Sequence, residues 1–394
     1  VLLNIGLLGY FKYANFFVDN LNSALTAIGV ESMAWTAVVL PIGISFFTFQ
    51  KLSYTLDVYK NKHAPLNSFS DYALYIILFP QLIAGPIVRF NEIADQLTDR
   101  SVNETLDDRL LGFFRFCIGL AKKVLVANVV GQVADTAFAM DSESLSFTWA
   151  WTGILAYTMQ IYFDFSGYSD MAIGLGRMMG FVFPENFNNP YISSSITEFW
   201  RRWHMTLSRW MKDYLYLPLG GNRKGVKRTY FNLWTVFLLS GLWHGASWNF
   251  IIWGAYHGLF LVLERLFLNK FYTKIGRIPS MLITFVVAVF GWVVFRAETV
   301  GSALTYYNAM LNFSAEFLMP NVSQEFKVTM LFAFFVSFLA AIPAIEKWQN
   351  RMVTDAKSSA LMLVGKTTFA ICIFGFTLSM LTASGFNPFI YFRF

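Results

Sequence analysis

The stretch Thr229-Tyr-Phe-Asn-Leu-Trp-Thr-Val-Phe-Leu-Leu-Ser240-Gly-Leu-Trp-His244-Gly-Ala-Ser247-Trp-Asn-Phe-Ile-Ile-Trp-Gly-Ala-Tyr-His257-Gly-Leu-Phe-Leu-Val-Leu263 contains no Asp, Glu, Lys or Arg. Such a run is a membrane segment, yet it exceeds the roughly 20 residues that one crossing needs. It is broken at Ser240–Ser247 by Gly241 and Gly245, and neither half crosses comfortably alone. Basic residues flank both ends: Arg223, Lys224, Lys227 and Arg228 before, and Arg265, Lys270, Lys274 and Arg277 after. A basic excess marks the cytoplasmic side. The chain is therefore predicted to enter, bend near the glycines and return, leaving His244 at depth. An ionisable side chain so placed marks a functional site. His257, with no charged neighbour in sequence, reads as a hydrogen-bonded packing residue.

The rest of the chain agrees on class. Of 394 residues, 14% are charged, against about 25% in soluble proteins. The protein is an all-α polytopic membrane protein, not a string of soluble domains. Its net charge of +6 is concentrated. Arg201, Arg202, Arg209, Lys212, Arg223, Lys224, Lys227 and Arg228 face a single acid, Asp213, in that segment. This is a positive-inside loop, and it is compatible with an anion site for a phosphorylated cytoplasmic substrate; no nucleic-acid partner is expected. Cys117 and Cys372 lie in apolar contexts and read as buried thiols. The four histidines include no i,i+4 pair, HExxH is absent, and so is GxSxG. Neither a metal site nor a serine nucleophile elbow is expected.

Along the chain, Val1–Tyr10 is apolar but too short to span, and earlier membrane segments are expected before it. Ala34–Phe49, with Pro41 and Gly43, and Tyr72–Val88, with Pro80, Gly85 and Pro86, read as interior or re-entrant elements. Irregular backbone is tolerated at membrane depth only inside protein or beside water. Lys122 and Lys123 either snorkel from a tilted helix or line an aqueous cavity. Asp164 and Asp170, six apart, read as a polar hinge whose acids cap helix ends. Pro184–Ser195 is a loop, and Ser194, Ser195 or Thr197 is expected to cap the next helix. That helix, Ile196–Tyr216, is amphipathic, with Phe199, Trp203, Leu207, Trp210 and Tyr214 on one face and His204 at its edge. The tail Phe386–Phe394 is aromatic and expected at an interface.

A neutral imidazole shielded from water is a good general base. His244 is suited to take a proton from a hydroxyl as that oxygen attacks an acyl carbonyl.

Several motifs then point to one family. They are Phe199-Trp-Arg-Arg-Trp-His-Met-Thr-Leu-Ser208, Tyr216-Leu-Pro-Leu-Gly-Gly-Asn-Arg223 and Leu242-Trp-His-Gly-Ala-Ser-Trp248. Phe79–Arg89, Asp164–Gly174 and Phe389–Phe394 add to them. The chain resembles the membrane-bound O-acyltransferases, and among them the bacterial alginate O-acetyltransferase type. The resemblance implies one integral membrane domain, 1–394, built as a ring of tilted helices around a thin centre with funnels from both faces. It implies that His244 is the catalytic histidine and His204 a second functional one. It implies acetyl-CoA as donor, with no permanently bound cofactor. The acceptor would be an extracytoplasmic polysaccharide hydroxyl, alginate or similar, reached through a periplasmic partner at the bacterial inner membrane. Arg209 and Arg223 are candidates for the coenzyme A phosphates. Rival readings are acylation of peptidoglycan, lipid or protein, and a non-enzymatic glycan transporter or scaffold.

Overall fold

In the computed structural model the described residues are 1–313, 320–354, 360–383 and 388–389. They are helical, with no strand among them. The aromatic tail lies outside the described residues except for Pro388 and Phe389.

The first element runs on past the apolar Val1–Tyr10. Helix α1 (Leu2–Ala27) has 26 residues, about 39 Å at 1.5 Å per residue. It runs on through Lys12 because that ammonium is bonded to another element, as described below. The following backbone is not helical until Gly43, whose φ of 77° opens α2 (Ile44–Tyr59). The Asn15 carboxamide serves this segment. Its oxygen accepts from Val38 N–H at 2.9 Å and its amide donates to Val38 C=O at 2.9 Å. Tyr72–Val88 is broken as Pro80, Gly85 and Pro86 suggest, into helices Phe69–Ile77 and Phe79–Leu82 and an irregular run to Arg89.

Helix α3 (Leu106–Ala121) continues through a π-helical turn, Lys122–Ala127, into α4 (Asn128–Ala139). It packs antiparallel on the 32-residue α5 (Phe147–Met178), backbone against backbone. A Cβ on Gly119 would stand 2.5 Å from the Gly167 carbonyl oxygen, and one on Gly174 would stand 2.6 Å from that of Gly112. Along this seam Asp170 pairs with Arg115 and Lys122, each at 2.6 Å, and Asp164 pairs with Lys123 at 2.7 Å. Arg115 also reaches Glu185 at 2.7 Å. These pairs correct two expectations. The lysines are held in ion pairs, and the aspartates neither hinge a helix nor cap one. All sit within continuous helix, because charges inside a membrane protein persist when paired with one another.

Helix α6 (Ile196–Arg202) and α7 (Met205–Met211) replace the expected single helix Ile196–Tyr216. Then come α8 (Val226–His244) and α9 (Trp248–Leu263), which form the helical hairpin expected from the break at the glycines; against the expectation that neither half is long enough to cross, α9 runs on through Glu264–Leu268 to Ile275. The hairpin's arms also touch through glycine. A Cβ on Gly241 would stand 2.1 Å from the Phe250 carbonyl oxygen, and one on Gly254 would stand 2.3 Å from that of Phe237. Helix α10 (Arg277–Arg296), α11 (Gln324–Leu339) and α12 (Ala360–Ala383) complete the bundle. Among the described residues, Trp248–Ile275, Arg277–Arg296 and Leu361–Ala383 are long and apolar enough to cross a membrane. So is Gln324–Leu339 taken with Pro343–Gln349, a pair bent by 100°. Cys117 is buried as expected, whereas Cys372 is exposed on the largely apolar outer face of α12.

Candidate active site

His244 ends α8, with extended backbone at Gly245 leading into the turn to α9. The imidazole is held by aromatic rings: Trp243, Trp253 and Phe295 lie 5.0, 5.1 and 5.2 Å away between centroids. One side remains open. His244 lines a cavity of about 200 Å³ whose other polar side chains are Lys12 and Ser45.

One turn earlier on the same face of α8, Ser240 lines a second, larger cavity of about 470 Å³. Its floor is apolar, with Trp200, Leu207 and Phe237, and its cations are Arg201, Arg209, Lys212 and Arg265. Arg209 lines this cavity while its guanidinium donates to the Glu185 carbonyl at 3.1 Å and stands 3.8 Å from Glu92. Arg223 is exposed on the turn after Tyr216 and is not part of that lining. Arg202 is engaged elsewhere, at 2.9 Å from Glu198 and 2.8 Å from Glu346. Glu198 is half-buried, which raises its pKa. Donation from Ser194 N–H and hydroxyl and the Arg202 charge outweigh this and hold it below the usual carboxylate range.

His204 stands at the joint between α6 and α7. Its φ of 44° is left-handed, which stops the helix there. The cause is Asn186, 18 residues earlier. The Asn186 side-chain oxygen accepts from Thr206 N–H at 3.3 Å and Thr206 Oγ1 at 2.8 Å, and lies 3.0 Å from His204 Nδ1. A backbone N–H only donates, so this atom is the carbonyl oxygen, and Nδ1 must carry the proton facing it. Nε2 is then the lone-pair nitrogen, and it is buried without a hydrogen-bond partner. The break also splits the expected apolar face. Phe199 and Trp203 join the central aromatic core with Trp253 and Trp292, while Leu207, Trp210 and Tyr214 pack with Phe49 and Trp243. The start of α6 is capped by Ser195 Oγ, as the sequence suggests, and by the buried Glu264 carboxylate at the end of α9. Glu264 accepts from Ile196 N–H, from Thr197 N–H at 2.9 Å and from Thr197 Oγ1 at 2.6 Å.

Trp243 joins the two histidines, with its ring 6.0 Å from His204 and 5.0 Å from His244 between centroids. His257 is a packing residue but not a hydrogen-bonded one. Neither ring nitrogen has a partner, and the ring is enclosed by Trp200 and Trp253, each at 5.0 Å. Sequence reasoning missed Lys12 and Ser45 in the His244 cavity and Arg265 in the larger one. The signal for Lys12 was present, since it is the only charged side chain between Val1 and Val18.

A sequence profile of the membrane-bound O-acyltransferase family matches residues 43–297. The chain belongs to this family. The match takes in both histidines, the larger cavity and the α8–α9 hairpin, whereas Lys12 and Leu40 to Ile42 of the smaller cavity precede it. Together with the apolar helices it makes this member of the membrane-bound O-acyltransferases a multi-pass membrane protein. A protein of Pseudomonas putida named probable alginate O-acetylase AlgI is 44% identical, covering 100% of this chain and 83% of its own length. A protein of the same name in Pseudomonas aeruginosa is 50% identical over 79% of this chain, and the chain spans 59% of that relative's length. A peptidoglycan O-acetyltransferase of Helicobacter pylori is 38% identical over 100% of this chain and 81% of its own.

Proposed function

We propose that this protein moves an acetyl group from acetyl-CoA on the cytoplasmic side to a polysaccharide hydroxyl outside a bacterial inner membrane, with alginate or a similar exopolymer as the final acceptor and a periplasmic partner completing delivery. The observation that carries the reading is the arrangement of two cavities one helical turn apart on one face of α8, with His244 in the smaller and a basic rim on the larger. On this reading the larger cavity takes the coenzyme A part of the thioester, and its acetyl end reaches His244. Arg209, with Arg201, Lys212 and Arg265, meets the phosphates of coenzyme A, to which guanidinium groups are geometrically matched. The smaller cavity takes the hydroxyl, and His244 removes its proton as the oxygen attacks the carbonyl carbon. General-base assistance of this kind is worth about 10²–10⁴-fold. His204 offers a second unprotonated nitrogen, Nε2, on the other side of Trp243. The names of the alginate relatives support the acceptor class.

The test is purified protein with acetyl-CoA radiolabelled in the acetyl group, alone and with an extracytoplasmic fraction. Transfer of label to polymer that disappears in His244→Ala, with the variant still folded by size exclusion, is the expected outcome. A fully active His244→Ala overturns the assignment of the site. The full-length similarity to a peptidoglycan O-acetyltransferase favours one second reading, in which label is recovered in muropeptides instead of exopolysaccharide.

A further inference from the structure

The small cavity holds a cation beside His244. The Lys12 ammonium donates to Ser45 Oγ at 3.0 Å and to the Trp243 carbonyl, and next to it the Tyr13 hydroxyl donates to the Leu242 carbonyl at 2.9 Å. Those two carbonyls belong to the last turn of α8, whose oxygens have no partner within the helix. A cation there also faces the negative end of the helix dipole. Lys12 and Tyr13 thus cap α8 at the residues that precede His244. Lys12 does more than cap. An ammonium has three N–H donors; two are used, no third acceptor among the described residues meets it, and Lys12 lines the cavity that His244 lines.

We propose that Lys12 is a second catalytic group, donating its remaining N–H to the acyl carbonyl oxygen in the cavity shared with His244. This rests on the acyl-transfer reading above. As the acceptor oxygen bonds to the thioester carbonyl carbon, its proton passes to His244 and the carbonyl π pair moves onto oxygen. Lys12 receives that charge in a hydrogen bond. The pair then returns, the C–S bond breaks, and the proton on His244 goes to the departing thiolate. A charged donor fixed where charge develops, away from bulk water, acts on the transition state more than on the bound thioester.

The experiment compares wild type, Lys12→Met, Tyr13→Phe and His244→Ala as full chains in detergent, with acetyl-CoA as the probe, the extracytoplasmic fraction as the acceptor source and coenzyme A release as the signal. Lys12→Met is expected to lower kcat by about 10²–10³-fold, the range for loss of one oxyanion donor, with KM for acetyl-CoA nearly unchanged. Tyr13→Phe, which removes the neighbouring cap without touching the cavity, is expected to stay near wild type. If Lys12→Met does not fold, Lys12→Gln keeps a donor for the Trp243 carbonyl while losing the charge, and the same fall in kcat is expected. Wild-type kcat in a folded Lys12 variant, or an equal fall in Tyr13→Phe, overturns the role of Lys12 alone. A wild-type chain that releases no coenzyme A overturns the reading of the whole site, and this proposal with it.

Discussion

The α3–α5 seam and the α8–α9 hairpin solve the same packing problem and differ in what they do with polar groups. In both, glycines let two helices meet at backbone distance. At the first seam five ionisable groups, Arg115, Lys122, Lys123, Asp164 and Asp170, are matched to one another. At the hairpin end the ionisable groups are left open: His244 and Lys12 face a cavity, and His204 Nε2 has no partner. Paired charge joins helices at the seam, while a basic nitrogen that borders a cavity is free to meet a ligand. Burial alone does not separate the two, and neither does the lack of a partner, since His257 also has none and lines neither cavity.

Variants in the two regions should therefore fail in different ways. The largest effect is expected from His244→Ala, with acetyl transfer falling about 10²–10⁴-fold while the protein still elutes as a folded species. Asp170→Asn should do the reverse. It leaves Lys122 without an ionic partner and Arg115 with Glu185 alone, and breaking a buried pair costs about 3–5 kcal/mol. A sharp drop in thermal midpoint, with turnover per folded molecule unchanged, is the expected result. If Asp170→Asn abolishes turnover at full stability, the division between the regions fails. His204→Gly sharpens the middle ground. Glycine suits the left-handed backbone there and relieves about 1–2 kcal/mol of strain, so a stable protein with reduced kcat isolates the imidazole. Unchanged kcat would reduce His204 to a bend. The smallest effects come from the arginines. Arg209→Ala should raise KM for acetyl-CoA about tenfold, within the 1.5–3 kcal/mol of a charged hydrogen bond less its partial exposure, whereas Arg223→Ala should leave both constants alone.

His244 and the hairpin are legible because the signal is local: an unbroken apolar run, two glycines and flanking basic residues. Arg202 and Arg209 look alike in sequence, yet Arg209 lines the cavity whereas Arg202 pairs with Glu198 and Glu346. What stays hidden depends on partners far along the chain. Nothing near Lys123 announces Asp164, nothing in Ile196–Tyr216 announces that Asn186 will bend it at His204, and Lys12 meets a carbonyl 231 positions away. An amphipathic pattern predicts which side of a helix is apolar; it does not reveal a side chain from elsewhere that stops the helix midway.

The closeness of Ser240 and His244 bears on the cost of crossing. One turn of α-helix rises 5.4 Å, whereas the hydrocarbon slab of a bilayer is about 30 Å thick. If donor and acceptor each reach their own end of that turn, neither a phosphorylated carrier nor a hydrated polymer has to enter oil. On the proposed function, the barrier is then thinned until a two-carbon group can be handed over within the length of a few bonds.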